Sequence, residues 1–335
     1  MKAGSLFETA REFASRSSPF IGLVVVFAIG ALISPFFLTL ENLANFARTS
    51  SIMGFVAIGM TFVILCGSID LSVSSVFSLS GFLFILLSKY SIALAICVPL
   101  AAGLMVGLFN GVLITWLSIP AFVATLATMI FLRGLVLVVT NETTFRVAGL
   151  SSVLSFLGRG MIFKYISFPL LMFIAAIVVA SFVLRRRPIG RAMYIVGGNA
   201  EAARMMGVSV NGTMTTAHVI CSVMAALGGI FLASRVGAAY PLSGTGYELY
   251  AIAAVVMGGA RLTGGVGNVS GTVAGTLIIG AFSNIFNLQR LLDPVWELVV
   301  VGCVLLAVVF LQSLVERYWA NTKIRPSMDP GNLFP

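Results

Sequence analysis

Charge-poor runs of membrane-crossing length recur along almost the whole of this chain. Residues 90–132, for example, contain no Asp, Glu, Lys or Arg. A helix needs about 20 residues to cross a bilayer core, and in lipid each backbone N–H and C=O must be bonded within its own segment. The runs therefore form helices, and the fold class is all-α: a polytopic membrane bundle. Ten spans are predicted, near 19–38, 52–69, 73–88, 92–117, 121–140, 166–184, 213–233, 248–262, 269–287 and 294–316. Leu117-Ser118-Ile119-Pro120 separates the fourth from the fifth, because proline biases its predecessor away from helix. Asp293-Pro294 opens the tenth, proline being favoured at a helix start.

Of the 335 residues, 59% are apolar and 9% charged. The longest polar intervals, 141–165 and 185–212, are loop-sized, well below the roughly 50 residues of a small domain. One transmembrane domain, 19–317, thus carries an N-terminal segment, 1–18, and a C-terminal tail, 318–335. Lys2, Arg11 and Arg16 precede the first apolar run in the manner of a signal peptide. No small-residue cleavage pattern follows, and Pro35-Phe36-Phe37 occupies its place, so the run is read as a retained span. Residues 5–14 suit a short interfacial helix.

The net charge of +9 does not indicate nucleic acid, because no basic face with interleaved aromatics exists outside the spans. The basic residues stand beside helix ends instead. With the N-terminus inside, Lys2, Arg11, Arg16, Arg185, Arg186, Arg187, Arg191, Arg204, Arg261, Arg317, Lys323 and Arg325 fall on the inner side. Arg48, Lys89, Arg146, Arg159, Lys164, Arg235 and Arg290 fall on the outer side, twelve against seven. The positive-inside rule then places both termini and the 185–212 loop in the cytoplasm.

Several chemistries lack their motifs. Cys66, Cys97, Cys221 and Cys303 lie in apolar runs without a C-x-x-C pair, which argues for buried, inert thiols and no metal site. None of the four lysines follows a G-x-x-x-x-G-K-[ST] loop, so this chain holds no ATP cradle. The single histidine, His218, is read as an interfacial polar residue near the inner end of the seventh span.

The remaining candidates each admit a functional and a structural reading. Arg133, deep in the fifth span, must face the bundle interior or an aqueous path. It either pairs structurally with another helix or lines that path. Asp70 stands at the break Gly67-Ser68-Ile69-Asp70-Leu71-Ser72, where it lines a gate, caps the next helix with Ser72, or does both. Glu248 opens the eighth span, where a carboxylate suits the helix N-terminus. Gly103, Gly107 and Gly111 form one G-x-x-x-G-x-x-x-G face of the fourth span, and Gly271 and Gly275 form a shorter one in the ninth. Such faces let a neighbouring backbone approach closely. Asn110, beside the first stripe, is an interhelical hydrogen-bond donor. A run–break–helix pattern at 58–82 recurs at 252–280, with Gly258-Gly259 to Gly264-Gly265 as its break. It is read either as a repeated transport element or as chance likeness of Gly-rich helices.

Within 185–212, Asn199-Ala200-Glu201-Ala202-Ala203-Arg204-Met205-Met206-Gly207 reads as one complete short helix. Asn199 is its N-cap, Glu201 lies in the positive first turn, and Gly207 ends it. Met205 and Met206 suit a partner-binding surface, or a helix resting on lipid headgroups.

The spacing Glu201, Ala202, Ala203, Gly207 is similar to the loop by which permeases of ATP-binding-cassette importers dock on their ATPase, although the I-x-L-P that often follows is missing. The likeness extends further. Gly59-Met60-Thr61-Phe62-Val63-Ile64, Ile69-Asp70-Leu71-Ser72-Val73, Ile119-Pro120-Ala121-Phe122-Val123-Ala124-Thr125-Leu126, Phe131-Leu132-Arg133-Gly134, Gly197-Gly198-Asn199, Ala251 to Gly259 and Leu262-Thr263-Gly264-Gly265-Val266-Gly267 occur in order over 20–315. Together they resemble the ribose/xylose/galactofuranose group of permeases. Cys66-Gly67-Ser68 departs from the glycine pair that relatives tend to have, and Tyr250 from a frequent acid.

The resemblance implies a bacterial inner-membrane permease, itself no enzyme and without a cofactor. Its partners would be a second permease subunit, alike or different, a cytoplasmic ATPase holding ATP and Mg, and a periplasmic sugar-binding protein. Alternating access would carry a monosaccharide. Asn199, Glu201, Ala202, Ala203, Met205, Met206 and Gly207 would form the docking surface; Asp70, Ser72, Asn110, Arg133 and Glu248 are candidates for the path or gate. The alternative is an ion-coupled secondary transporter of a small polar solute, which calls for acids or histidines deep in the spans.

Overall fold

The computed structural model describes residues 2–147 and 149–289 together with scattered positions between Trp296 and Leu314, and side chains from Ser18 onward. The expected tenth span at 294–316 and the tail at 318–335 lie outside the continuously described residues. The helices are α1 (Lys2–Ile33), α2 (Leu40–Leu65), α3 (Val73–Leu87), α4 (Ile92–Thr115), α5 (Ala121–Thr140), α6 (Ser152–Arg159), α7 (Phe168–Arg186), α8 (Pro188–Gly198), α9 (Ala200–Met205), α10 (Val210–Val236), α11 (Tyr247–Met257) and α12 (Val269–Gln289). Four short strands accompany them: β1 (Phe145–Arg146), β2 (Met161–Phe163), β3 (Ile166–Ser167) and β4 (Ala238–Ala239). The chain is an all-α membrane bundle. Helices α2, α4, α5, α7, α10 and α12 are long and apolar enough to cross a bilayer; Ser18–Ile33, α3 and α11 are shorter apolar helices.

The expected boundaries shift for local reasons. Residues 5–14 are not a separate helix but the start of α1, which runs on through Pro19. Helix α2 begins well before the apolar run, because Thr39 Oγ1 accepts from Asn42 N and Glu41 suits the first turn. Helix α11 stops at Met257 rather than near 262, because Gly258-Gly259 supply a left-handed ending. Segment 141–165 is partly ordered by α6 and by two antiparallel ribbons. In one, Phe145 pairs with Ala239; in the other, Met161 pairs with Ser167.

Helix α2 is the axis of the bundle. Every residue from Ser50 to Leu65 is buried, as expected of a helix that is apolar on all sides. Helix α10 lies beside it and packs against α2, α3 and α4. By contrast α4, α5 and α7 turn Leu104, Met105, Phe109, Phe131, Val138 and Val178 outward, the faces a lipid phase would meet. Cys66 and Cys221 are buried, whereas Cys97 and Cys303 are exposed. That corrects the expectation of four buried thiols: an apolar run does not say whether a side chain faces protein or lipid.

Where lipid replaces water, helix association leans on close packing and interhelical hydrogen bonds. Both are present. Gly103 faces Ser222 and Ala226 of α10, Gly107 faces His218 and Val219, and Gly111 faces Thr215. Gly271 and Gly275 of α12 face Gly258 and Ala254 at the end of α11. Asn42 and Asn284 exchange amide hydrogen bonds of 2.8 and 3.0 Å between α2 and α12. Arg159 donates to the last carbonyls of α10, Arg235 at 2.7 Å and Val236 at 2.9 Å.

A Cβ at Gly107 would sit 2.6 Å from Val219 Cα and 2.8 Å from the His218 oxygen, and backbone atoms cannot step aside as a side-chain tip can. Gly107→Leu is expected to destabilise the bundle by about 1–3 kcal/mol or more, read as a fall in melting temperature in detergent. An unchanged melting temperature would show that α4 and α10 are not held at this distance.

Candidate functional site

The two helix breaks are built alike. At the end of α2, Gly67 N donates to Ile64 O at 2.9 Å and Ser68 N to Val63 O at 3.1 Å, with Gly67 at φ +73°. At the end of α11, Gly259 N donates to Val256 O at 2.9 Å and Ala260 N to Val255 O at 3.1 Å, with Gly259 at φ +87°. Both are Schellman endings, in which the left-handed residue favours glycine. Each return helix then starts from an Asp or Asn side chain. Asp70 Oδ1 accepts from Ser72 N at 2.9 Å, and Asn268 Oδ1 from Gly271 N at 2.7 Å. The 58–82 and 252–280 likeness is therefore one of stereochemistry as well as composition. The breaks also meet: Gly265 N donates to Leu65 O at 2.9 Å.

A chain of buried polar side chains radiates from the first break. Asp70 and His218 are fully buried and 3.2 Å apart, Oδ2 to Nδ1. The carboxylate places the imidazole proton on Nδ1, which leaves Nε2, 3.0 Å from Ser68 Oγ, to accept from that hydroxyl. Ser72 Oγ donates to Asp70 Oδ1 at 2.6 Å, Asn110 Nδ2 to Ser72 Oγ at 2.9 Å, and Thr128 Oγ1 to Asn110 Oδ1 at 2.7 Å. The break is thereby tied to α10, α4 and α5. Ser72 stands at the N-cap position of α3 but makes no side-chain cap bond; Asp70 Oδ1 instead holds the backbone N–H of Ser72 itself.

Five residues grouped by sequence as path or gate candidates thus separate into two sets. Asp70, Ser72 and Asn110 belong to the buried chain. Arg133 and Glu248 stand elsewhere, on α5 and α11, and bridge across α3. Arg133 Nη2 lies 3.9 Å from Glu248 Oε1 and 3.4 Å from Ser74 Oγ. Both side chains keep some exposure, 29% and 12%, while Glu248 Oε2 is buried without a hydrogen-bond partner among the described residues.

Segment 185–212 contains a helix that sequence reading did not separate from the loop. Helix α8 starts with Pro188, where the missing N–H costs nothing, and buries Gly190, Met193 and Val196. It leads directly into α9. Asn199 Oδ1 accepts from Ala202 N at 2.9 Å, and Gly207, at φ +77°, closes α9. Ala203 is buried beneath α9 while Glu201, Met205 and Met206 face outward, Met205 at 89% exposure.

His218 corrects the interfacial reading. It is buried two turns inside α10, because its partners come from a break distant in sequence. Ser68, His218 and Asp70 line up as a nucleophile, a base and its orienter would, an alignment the sequence did not reveal. Ser68 is only 4% exposed and the other two fully enclosed, so the alignment serves as a structural tie and lacks the open approach that nucleophilic catalysis requires.

Residues 42–309 match the family described as the branched-chain amino acid transport system permease component. The ribose import permease protein of Haemophilus influenzae is 35% identical over 96% of this chain and 98% of its own length. That of Bacillus subtilis is 40% identical over 88% of this chain and 91% of its own. The xylose transport system permease protein of Escherichia coli is 30% identical over 84% of this chain and 87% of its own. No solved structure matches.

Removing the imidazole from this tie tests its worth directly. His218→Ala leaves Asp70 Oδ2 buried without its partner, at an expected cost of about 1–3 kcal/mol. Thermal melting of the purified protein checks this. A melting temperature equal to that of the parent would mean that the pair contributes nothing to holding the break on α10.

Proposed function

This chain belongs to the branched-chain amino acid transport system permease family, and we propose that it is the membrane-spanning subunit of an ATP-binding-cassette importer that carries a monosaccharide. The observation that carries this reading is end-to-end similarity to ribose import permeases, with 96% of this chain aligned to one of them. The fold supplies the parts such a subunit needs: a lipid-facing bundle, two interrupted helices, and a capped, methionine-bearing helix projecting from it.

In this reading the subunit has ten spans and both termini lie in the cytoplasm, in agreement with the basic cluster at Arg185, Arg186, Arg187 and Arg191. Helix α9 docks on a separate ATPase that holds ATP and Mg; this chain needs no cofactor. A second permease subunit completes the path, and a periplasmic binding protein delivers the sugar. ATP-driven motion of α9 switches the bundle between outward and inward states.

Arg133 and Glu248 are the path candidates that geometry favours. They are partly exposed, loosely paired and incompletely bonded, so each retains donors or an acceptor for sugar hydroxyls. Asp70, Ser72 and Asn110 spend their bonding on one another and hold the break in place. An ion-coupled mechanism would need the Asp70–His218 pair to open to solvent. Uptake by the complete system that proceeds without ATP, on an ion gradient alone, would establish that mechanism in place of the one proposed.

Glu201→Arg tests α9. Glu201 is exposed in the first turn of the helix, so charge reversal alters the docking surface without a backbone change. The subunit is expected to reach the membrane, while copurification with the ATPase and sugar-stimulated ATP hydrolysis fall. Normal docking and hydrolysis in both Glu201→Arg and a Met205→Asp/Met206→Asp double variant would place the docking surface elsewhere.

A further inference from the structure

Three backbones meet without a side chain between them at the end of α8. A methyl group on Gly197 would overlap the Leu65 carbonyl oxygen at the end of α2 and lie 2.5 Å from Gly265 N in the second break. A Cβ on Gly264, itself at φ +91°, would lie 2.7 Å from Gly67 N and 2.8 Å from Gly197 O. The junction is pinned by two hydrogen bonds, Gly265 N to Leu65 O at 2.9 Å and Tyr194 Oη to Gly267 O at 2.9 Å. Burial raises the pKa of the Tyr194 hydroxyl, with Arg185 opposing, so it remains a donor at neutral pH.

Helix α8 continues into α9 through one residue: Asn199 is the C-cap of the first and the N-cap of the second. A displacement of α9 therefore has no slack in which to dissipate before it reaches Gly197. Packed contacts of this kind rearrange between discrete arrangements rather than deforming continuously.

We propose that Gly197, with Tyr194 beside it, is the positioning point through which movement of α9 is passed to both helix breaks at once. This rests on the reading of α9 as the ATPase-docking helix, and adds that the breaks of α2 and α11 move together because one backbone contact holds them both. A bulkier residue at 197 wedges the contact apart. The subunit then binds its ATPase and allows ATP hydrolysis, but the hydrolysis no longer drives the path.

Gly198 supplies the control. A Cβ there meets nothing within 4 Å, although it is the next residue in the same helix. The experiment uses the complete assembly in vesicles, with ribose and xylose as probes, and measures sugar taken up per ATP hydrolysed. Gly197→Ala is expected to keep ATPase copurification and hydrolysis while uptake per ATP falls about tenfold, the scale of a one-methyl overpacking. Gly198→Ala is expected to behave as the parent. Tyr194→Phe, which removes only the bond to Gly267, should lower the ratio about threefold. Equal ratios in the two alanine variants would overturn the proposal. So would loss of ATPase binding in Gly197→Ala, since the junction would then belong to docking; Glu201→Arg reports separately on the docking reading itself. If Gly197→Ala does not accumulate in the membrane, Tyr194→Phe decides, and a parental ratio there overturns the proposal.

Discussion

A helix interrupted inside a bundle leaves its last carbonyls without partners within that helix, and in a membrane there is no bulk water to supply them. This chain interrupts two helices and lets the second break answer part of the first one's need. Glycine at 67 and at 259 folds each end back on itself, satisfying carbonyls locally. The Leu65 carbonyl is taken up by Gly265 N of the other break. The breaks are stable as a pair because they touch, and they touch only because Gly264, Gly265 and Gly197 carry no side chains. The rest of the bundle is arranged around that meeting: α2 and α11 lead into it, α3 and α12 leave it, and α8 closes over it.

Polar side chains finish what the backbone begins. Asp70 organises the restart of α3 and, through His218, anchors the break to α10. Ser72, Asn110 and Thr128 extend the attachment to α4 and α5. A buried ionisable pair is weak evidence for stability in itself, since its desolvation opposes its attraction. Its directional bonds do fix which turn of α10 lies against the break. The glycine face of α4 acts on the same helix from the other side, with Gly107 against the backbone at His218 and Val219. The close contact and the buried pair hold one turn of α10 from two directions.

What the sequence made legible was whatever depends on local physics. The apolar runs marked the spans, Asn199 and Gly207 marked α9, and the G-x-x-x-G spacing marked a face on which a backbone could approach. The hidden parts were those made by residues far apart in the chain. His218 meets Asp70 across 148 positions, and a lone histidine near a span end carries no sign of that partner. Helix α8 was hidden for another reason: Arg185, Arg186 and Arg187 stand directly before it and give the segment the look of a charged loop, while the buried side on Gly190, Met193 and Val196 is short. Cys97 and Cys303 show a third limit, because lipid and protein interior select the same apolar side chains.

The division between the buried chain and the Arg133–Glu248 bridge also bears on what the path must do. A monosaccharide is neutral and rich in hydroxyls, so its passage calls for donors and acceptors that are only partly engaged, rather than for a deep ionic site. Asp70 and His218, each fully bonded, offer nothing to such a solute, and opening them would loosen the junction on which both breaks depend. Arg133 and Glu248 can lose their 3.9 Å contact to sugar hydroxyls at little cost, because a long, partly solvated ion pair is weak to begin with. In the proposed reading, movement is concentrated at the glycine junction while polar recognition falls to separate helices, α5 and α11. Of the two, α11 leads directly into a break, so a sugar engaging Glu248 would touch one end of a helix whose other end runs into the segment, Gly264-Gly265, that meets Gly197 and Leu65.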